Sequence, residues 1–320
     1  MPRRKRLTWA QAHERFLTHL RARNLSARTV YCYGLEVTRL AAYRGGSGPH
    51  DVSTEDLRAY QAGLLAGTAS RSGRPLTGRS VYRVACTLGA FFSWLVSEGL
   101  LKKSPGAQVE RPKLNQSLPP GPLSEEEAAR LLDAASAAKE RALGEEIAQR
   151  DRAAVELLYA TGLRRAELVA LDLPDVDLRE RLVTVRHGKG DKARQVPLAR
   201  SAALRVESYL TTARPALVSQ KARGEEALLL TRWGRRLGSP GVRRLLLQAA
   251  ERAGIERPVT PHVLRRSFAT HLLRAGADLR SIQLLLGHSE LSTTAVYLQL
   301  DPEELRQEIL TRHPRERLDP

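Results

Sequence analysis

Cysteine is scarce in this sequence, which has two, Cys32 and Cys86, in 320 residues. Each lies in a stretch with helical periodicity, and neither has a second sulfur or imidazole at a metal-binding spacing. This scarcity excludes a disulfide-stapled secreted domain and a cysteine zinc site. We therefore expect two buried free thiols in a reducing compartment.

Long apolar runs are also absent. No stretch approaches the roughly 18 continuous apolar residues that are needed to cross a bilayer. The basic start of the chain, MPRRKRLTWAQAHERFL, has no apolar segment behind it, which argues against a secretory signal. With 42% hydrophobic residues, the chain has enough apolar material for two domains of ordinary size. We expect a soluble protein of the cytoplasm.

Acidic residues are the minority charge. Lys and Arg together number 52 against 35 for Asp and Glu, which gives a formal net charge of +17. An excess of this size attracts polyanions, and nucleic acid is the abundant polyanion in a cell. The basic residues are spread along the whole chain, which favours folded surfaces on DNA over a disordered arm. Charge alone fits a ribosomal or chromatin-coating protein equally well, so it indicates a partner and no activity.

The first hundred residues predict four amphipathic helices. Thr8, Ser26 and either Ser53 or Thr54 stand at cap positions of the first three. Apolar residues recur at helical spacing through 79–99, which predicts the fourth. This part of the chain is therefore expected to be a small all-α domain.

A proline-rich segment follows, LKKSPGAQVERPKLNQSLPPGP, and it predicts an extended linker. Beyond it, Ser124 and Glu127 have the capping-box spacing of a helix start. The Ala-rich stretch 128–150 predicts one long helix. Alternation in RLVTVRH and ARQVPLA, on either side of GKGDK, predicts the two strands of a β-hairpin. We therefore expect a mostly α second domain that carries a small antiparallel sheet.

Six residues with reactive side chains fall in four short motifs. They are Arg164 in ATGLRRAEL, Lys189 in HGKGDKARQVPL, His262 and Arg265 in TPHVLRRSFATHLL, and His288 and Tyr297 in LLGHSELSTTAVYLQL. On a helix, His262 and Arg265 share a face because they are three residues apart. Each residue alone has an ordinary interpretation: a solvated arginine, a lysine at a turn, or a tyrosine packed on a helix.

In this order the motifs resemble the active site of the tyrosine recombinase (phage integrase) family, and the match extends over nearly the whole chain. Length and spacing are most similar to the Xer-type recombinases, which resolve chromosome or plasmid dimers. The resemblance implies a mainly α fold, with an N-terminal four-helix SAM-like core-binding domain over 1–104 and a linker over 105–122. The C-terminal catalytic domain, 123–320, is implied to be mostly α with a small antiparallel β-sheet and a terminal helix.

In this family the tyrosine of the last motif is the nucleophile. Tyr297 would attack the scissile phosphate and form a 3′-phosphotyrosyl bond, which keeps the bond energy for religation. Ionising a free tyrosine at neutral pH costs about 4 kcal/mol. A cationic cluster must offset that cost.

The other five residues would supply charge and protons. Arg164 and Arg265 would bind the non-bridging oxygens through planar, bidentate hydrogen bonds. Lys189 would be the general acid for the 5′-oxygen, His262 would assist with the proton of the nucleophile, and His288 would hydrogen-bond the phosphate.

No cofactor or metal is expected, because arginines neutralise the phosphate. Asp172, Asp175 and Asp177 are interpreted as turn and cap residues before a strand. Glu167, one helical turn beyond Arg164, is a candidate partner that orients this arginine. The alternative is a simple surface ion pair.

The resemblance also implies the partners: double-stranded DNA with a specific recombination site, and a tetramer, homo- or hetero-oligomeric, on two DNA duplexes. The terminal helix has a thin apolar stripe, Leu305, Ile309 and Leu310, which in the family would dock into a neighbouring protomer. We expect no membrane insertion and a nucleoid-associated protein.

Several alternatives differ in activity or role. An integrase of a phage or mobile element would use the same chemistry, and a catalytically silent DNA-binding regulator would use the same fold. A type IB topoisomerase has similar chemistry but a different motif order. A silent relative should have lost at least one of four residues, and all are present: Arg164, Lys189, Arg265 and Tyr297. Leu298 and Gln299 stand where many Xer-type members have Thr-His, which leaves the subfamily open.

Overall fold

The computed structural model describes residues 6–46, 48–113, 120–137, 143–186, 193–218, 224–287 and 302–317. The chain divides into two compact units, 1–117 and 118–320. Each unit has its own cluster of buried apolar side chains. The two units are described separately below.

Four helices form the N-terminal unit: α1 (Trp9–Ala22), α2 (Ala27–Arg44), α3 (Thr54–Ala66) and α4 (Gly78–Ser97). The predicted caps are confirmed, because the side chains of Thr8, Ser26 and Ser53 each accept a backbone N–H from three residues on. Ser53, not Thr54, is therefore the N-cap of α3. Thr77 caps α4 in the same way.

The core of this unit forms around α4. Phe16 of α1 lies against Phe91 and Trp94 of α4, with ring centroids 5.2 and 5.3 Å apart. Within the described residues, α4 is the one helix long and apolar enough to cross a membrane. Its apolar residues, including Val81, Val84 and Leu88, are buried in the core of the unit.

The beginning of the proline-rich segment packs on α3. The Thr54 hydroxyl donates to the carbonyl of Pro105 at 3.1 Å, and the Gln61 amide donates to that of Glu110, also at 3.1 Å. A short 3-10 turn, Pro105–Gln108, lies between these contacts. The first residues of the predicted 105–122 linker are therefore held on the N-terminal helices.

The second unit is mostly α with one small sheet. Its helices are α5 (Glu125–Ala135), α6 (Gly144–Thr161), α7 (Arg165–Ala170), α8 (Arg200–Ser208), α9 (Arg214–Leu217), α10 (Ser239–Arg252), α11 (Pro261–Arg274), α12 (Leu279–Leu286), α13 (Pro302–Arg312) and α14 (Pro314–Arg317). A π-helical turn, Tyr209–Ala213, joins α8 to α9. The predicted mainly α architecture with a small antiparallel sheet is confirmed.

The prediction of one long helix over 128–150 is wrong. Ser124 and Glu127 form the predicted capping box of α5, but that helix ends at Ala135. A second helix, α6, begins at Gly144 after Leu143, whose φ of +60° breaks the helical path. The reason lies in packing, because α5 buries one face whereas α6 is buried on nearly every side from 152 to 161.

Three antiparallel strands form the sheet, in the order β1 (Val176–Asp177), β2 (Leu182–Val185) and β3 (Arg194–Pro197). The two predicted hairpin strands are confirmed as β2 and β3, with Val185 opposite Arg194 at the turn end of the hairpin. The turn between them, which contains Lys189, lies outside the described residues.

The C-terminal segment packs within its own unit. The Arg315 guanidinium donates to both carboxylate oxygens of Glu156, at 2.7 and 3.1 Å, and Glu156 is fully buried in α6. The Ser201 hydroxyl of α8 donates to the Arg315 carbonyl at 2.6 Å. In the single chain, α14 is thus bound in cis, and docking into a neighbouring protomer remains a proposal.

His313 makes this cis docking sensitive to pH. Nδ1 of the buried imidazole accepts the Arg315 backbone N–H, which requires the neutral ring. Nε2 then carries the proton and donates it to the Tyr159 carbonyl. Burial lowers the pKa of His313 to about 3, against about 6.5 for a free histidine. The docked form is therefore favoured above pH 6.5 and loses up to about 1.4 kcal/mol per pH unit as the pH falls towards 3.

We expect hydrogen exchange of 306–317, corrected for intrinsic rates, to speed up between pH 7 and pH 5 in the wild-type chain. His313→Asn keeps an acceptor for Arg315 but cannot take up a proton, so its exchange should change less over the same range. An equal pH dependence in both proteins would show that His313 does not control the docking.

Candidate active site

Gly162 sets the position of the first predicted arginine. It ends α6 in the left-handed conformation, at φ +61°. A Cβ at this position would lie 2.6 Å from a ring carbon of Phe268 and 2.8 Å from a methyl of Leu286. Both the backbone angle and the close packing therefore require glycine. The turn places Arg164 as the N-cap residue of α7.

Glu167 fixes Arg164 through two contacts. Its Oε2 accepts the Arg164 backbone N–H at 2.8 Å, as the third helical residue of a capped helix often does. Its Oε1 accepts Nη1 of the same arginine, also at 2.8 Å. The Glu167 side chain is 3% exposed, so the pair is not a surface pair. The predicted contact between the two residues is confirmed, and its effect on catalysis stays a prediction.

Arg265 approaches the same place from α11. Thr260 caps this helix, and Pro261 is its first residue. Arg265 is buried, and its guanidinium donates to the carbonyls of Gly162, at 2.8 Å, and Leu286. His262, one turn earlier, is exposed. The structure thus brings together the two predicted arginines, with His262 on the same helix as the second.

Three arginines converge on the C-terminal end of α12. The carbonyls of Leu285, Leu286 and Gly287 are consecutive, and each accepts a guanidinium N–H from a different arginine. In that order the donors are Arg194, Arg265 and Arg164. The carbonyl end of a helix carries partial negative charge, which attracts cations. Gly287 then ends α12 at φ +63°, immediately before His288.

The charges in this cluster stabilise each other. Burial alone would raise the pKa of Glu167, but hydrogen bonds from Arg194 and Arg164 outweigh it and lower that pKa to about 2. Burial first, and the charge of Arg164 second, lower the pKa of Arg265 to about 10. All four groups are charged at neutral pH. Three guanidinium groups against one carboxylate leave the cluster positive.

Three predicted residues, Lys189, His288 and Tyr297, lie outside the described residues. Their roles therefore stay predictions. The chain on either side of Lys189 is described as β2 and β3, and the chain before His288 is described to Gly287.

The three aspartates are structural, as predicted. Asp172 pairs with Arg186 and Arg236, and Asp175 pairs with Arg186 and caps the Asp172 backbone N–H. Asp177 accepts a turn N–H from Glu180. Over the described ranges, no group of three or more His, Cys, Asp or Glu side chains is placed to hold a metal ion.

The sequence profile of the phage integrase family matches residues 122–304, more than half of the chain. The chain belongs to the phage integrase family. The match includes all six predicted site residues, and with it the predicted family membership is confirmed.

Relatives within the family are tyrosine recombinases. The chain is 38% identical to the tyrosine recombinase XerC of Alcanivorax borkumensis, over 94% of this chain and 92% of the relative. It is 40% identical to the tyrosine recombinase XerD of Pseudomonas putida, over 86% and 89% of the two chains. The predicted Xer-type enzyme class is therefore confirmed.

Solved integrases share the fold. The Tn1549 transposon integrase, solved with a circular intermediate DNA, superimposes with a TM-score of 0.68 over 95% of this chain and 99% of that chain. Identity is 19%, so the likeness shows the fold alone.

Arg194 was not among the predicted site residues. It lies in the motif GKGDKARQVPL at the start of β3, and no pattern within that motif distinguishes it from the other basic residues there. Its partners, Glu167 and the Leu285 carbonyl, are 27 and 91 residues away in sequence. Only the fold shows them to be neighbours.

We expect Glu167→Gln to slow DNA cleavage by about 10- to 100-fold, as when a group that orients a reactive one is lost. The amide cannot neutralise two guanidinium groups, so Arg164 loses its fixed position. DNA affinity, measured by fluorescence anisotropy, should change little because the substitution removes none of the 52 Lys and Arg residues.

The matched control is Glu127→Gln. Glu127 also accepts the N-cap N–H of its helix, from Ser124, and pairs with one arginine, Arg257. It lies on α5, and its loss should leave the cleavage rate near wild type. Equal losses of cleavage and DNA affinity in Glu167→Gln would argue against an orienting role.

Proposed function

We propose that the protein is an Xer-type site-specific DNA recombinase that cuts and rejoins DNA through a 3′-phosphotyrosyl intermediate and a Holliday junction. Its biological role is the resolution of chromosome or plasmid dimers. The observation that supports this most directly is that the part-buried Arg164 and the buried Arg265 donate to consecutive carbonyls at the C-terminal end of α12. The chain that leaves this point holds His288 and Tyr297.

The arginine pair can stabilise the negative charge on the phosphodiester in the transition state. A guanidinium has five N–H donors in a plane, and the contacts described for Arg265 use two of its nitrogens. Donors that are already fixed need no reorganisation when negative charge builds up, and each contributes about 3 to 4 kcal/mol. Arg164 and Arg265 would bind the two non-bridging oxygens of the scissile phosphate.

The remaining chemistry falls to residues outside the cluster. Tyr297 attacks the phosphorus, and the 5′-oxygen leaves with a proton from Lys189. His262 assists with the proton of the nucleophile, and His288 hydrogen-bonds the phosphate. Religation reverses these steps, with the 5′-hydroxyl of the partner strand as the nucleophile, so no ATP is consumed. No metal takes part.

The proposed assembly is a tetramer, homo- or hetero-oligomeric, on two DNA duplexes that carry a specific site. The lambda integrase, 19% identical with a TM-score of 0.63, has been solved as a tetramer bound to a Holliday junction. The +17 net charge suits such a partner. In this assembly the N-terminal helical unit is a core-binding domain, and the C-terminal segment docks into a neighbouring protomer. The site of action is the nucleoid in the cytoplasm, and the process is chromosome partition at cell division.

The alternatives have less support. A silent DNA-binding regulator has no need of Arg164 and Arg265 held together at the end of one helix. An integrase of a mobile element would use the same chemistry, but relatives at 37–40% identity are named XerC and XerD.

The test is a covalent adduct. A recombination site is first selected from random duplexes by binding, then prepared as a nicked duplex that loses a short fragment on cleavage and so traps the intermediate. Wild-type protein should form an adduct that survives denaturation, and Tyr297→Phe should bind the same DNA without forming it. An adduct that persists in the Phe variant would refute the assignment of Tyr297.

A further inference from the structure

The side chain of Arg194 makes two hydrogen bonds to Glu167, whereas the side chain of Arg164 makes one. Arg194 is the first residue of β3, and its side chain is 12% exposed. Nη1 and Nη2 donate to the two oxygens of Glu167 at 3.1 and 2.8 Å, a bidentate pair. Nε donates to the Leu285 carbonyl of α12 at 2.9 Å. All three nitrogens of the guanidinium therefore bind protein groups.

Two arginines, Arg194 and Arg164, therefore share the carboxylate of Glu167. Glu167 accepts from Arg194 and also from Arg164, through the side chain at 2.8 Å and the backbone at 2.8 Å. Without Arg194, the full charge of Glu167 would act on Arg164 alone and compete with a phosphate for it. With Arg194 present, the carboxylate is neutralised from the other side. Arg164 then keeps both its place and its charge for a substrate anion.

Arg194 also fixes where α12 ends. Gly287 packs directly on the guanidinium, since an added Cβ would lie 3.1 Å from Nη1 and 3.3 Å from Cζ and Cδ. The Leu285 contact holds the last turn of the same helix. One side chain thus joins β3, α7 and the C-terminal end of α12. A lysine could not replace it, because these contacts need a planar group with several donors.

We propose that Arg194 is a positioning residue for DNA cleavage, which neutralises Glu167 and thereby leaves Arg164 free to bind the scissile phosphate. This rests on the recombinase function proposed above. No contact with the substrate is assigned to Arg194, because each of its three guanidinium nitrogens already donates to a protein group.

The first measurement is single-turnover cleavage of the nicked duplex by Arg194→Gln and Arg194→Lys. We expect Arg194→Gln to cleave about 10- to 100-fold more slowly, with Arg194→Lys restoring only part of the rate. DNA affinity should stay close to wild type. The matched control is Arg257→Gln. Arg257 also binds a carboxylate, that of Glu127, and two backbone carbonyls, those of Gly121 and Pro122. This variant should cleave at the wild-type rate.

Two further measurements separate positioning from a loss of folded protein. The next substrate is a duplex with a neutral methylphosphonate at the scissile position. On it, Arg194→Gln should lose less of the cleavage rate, because the substrate carries no negative charge for Arg164 to bind. Adding Glu167→Gln to Arg194→Gln removes the unbalanced carboxylate. The double variant should therefore cleave at least as fast as Arg194→Gln, whereas independent defects would multiply.

The outcomes are distinct. An Arg194→Gln variant that matches wild type, or whose defect is the same on both substrates and multiplies with Glu167→Gln, overturns the role of Arg194 while the adduct still supports the recombinase function. Failure of the wild-type chain to form any adduct with its selected site would instead overturn the function itself.

Discussion

The shared carboxylate of Glu167 is the interaction on which the arrangement of the site depends. It binds Arg164 and Arg194 at the same time, with every contact between 2.8 and 3.1 Å. Through these two arginines it joins the start of α7, the start of β3 and the end of α12. Removing one partner of such a buried ionic group typically costs about 3 to 5 kcal/mol, because the remaining charges are left unpaired. A site for an anion is thus built around an anion that the protein supplies itself.

Three guanidinium groups so close together would repel each other without compensation. The lowered pKa of Arg265, to about 10, reflects burial and the nearby charge of Arg164. Two features offset this: the carboxylate of Glu167 and the three carbonyls at the end of α12. The glycines at 162 and 287 let the chain turn close enough for these contacts, at φ +61° and +63°. The cluster keeps a net positive charge, which would attract a phosphodiester.

Much of this could be predicted from the sequence, for reasons that differ between residues. The caps at Thr8, Ser26 and Ser124 follow from side chains that bond within four residues, so local spacing is enough. Glu167 was predicted for the same reason, being three residues from its partner. Arg194 was not, because its partners come from two other elements and no local pattern records them. The break between α5 and α6 was missed because helix propensity in an Ala-rich stretch is overruled by what each segment must pack against.

The most direct test is a structure of Tyr297→Phe bound to a duplex with its recombination site. We expect the non-bridging oxygens of the scissile phosphate to lie within about 3 Å of guanidinium nitrogens of Arg164 and Arg265. We also expect Arg194 to keep its two contacts with Glu167. A scissile phosphate bound elsewhere, or an Arg194 that leaves Glu167 to contact the DNA, would contradict these expectations.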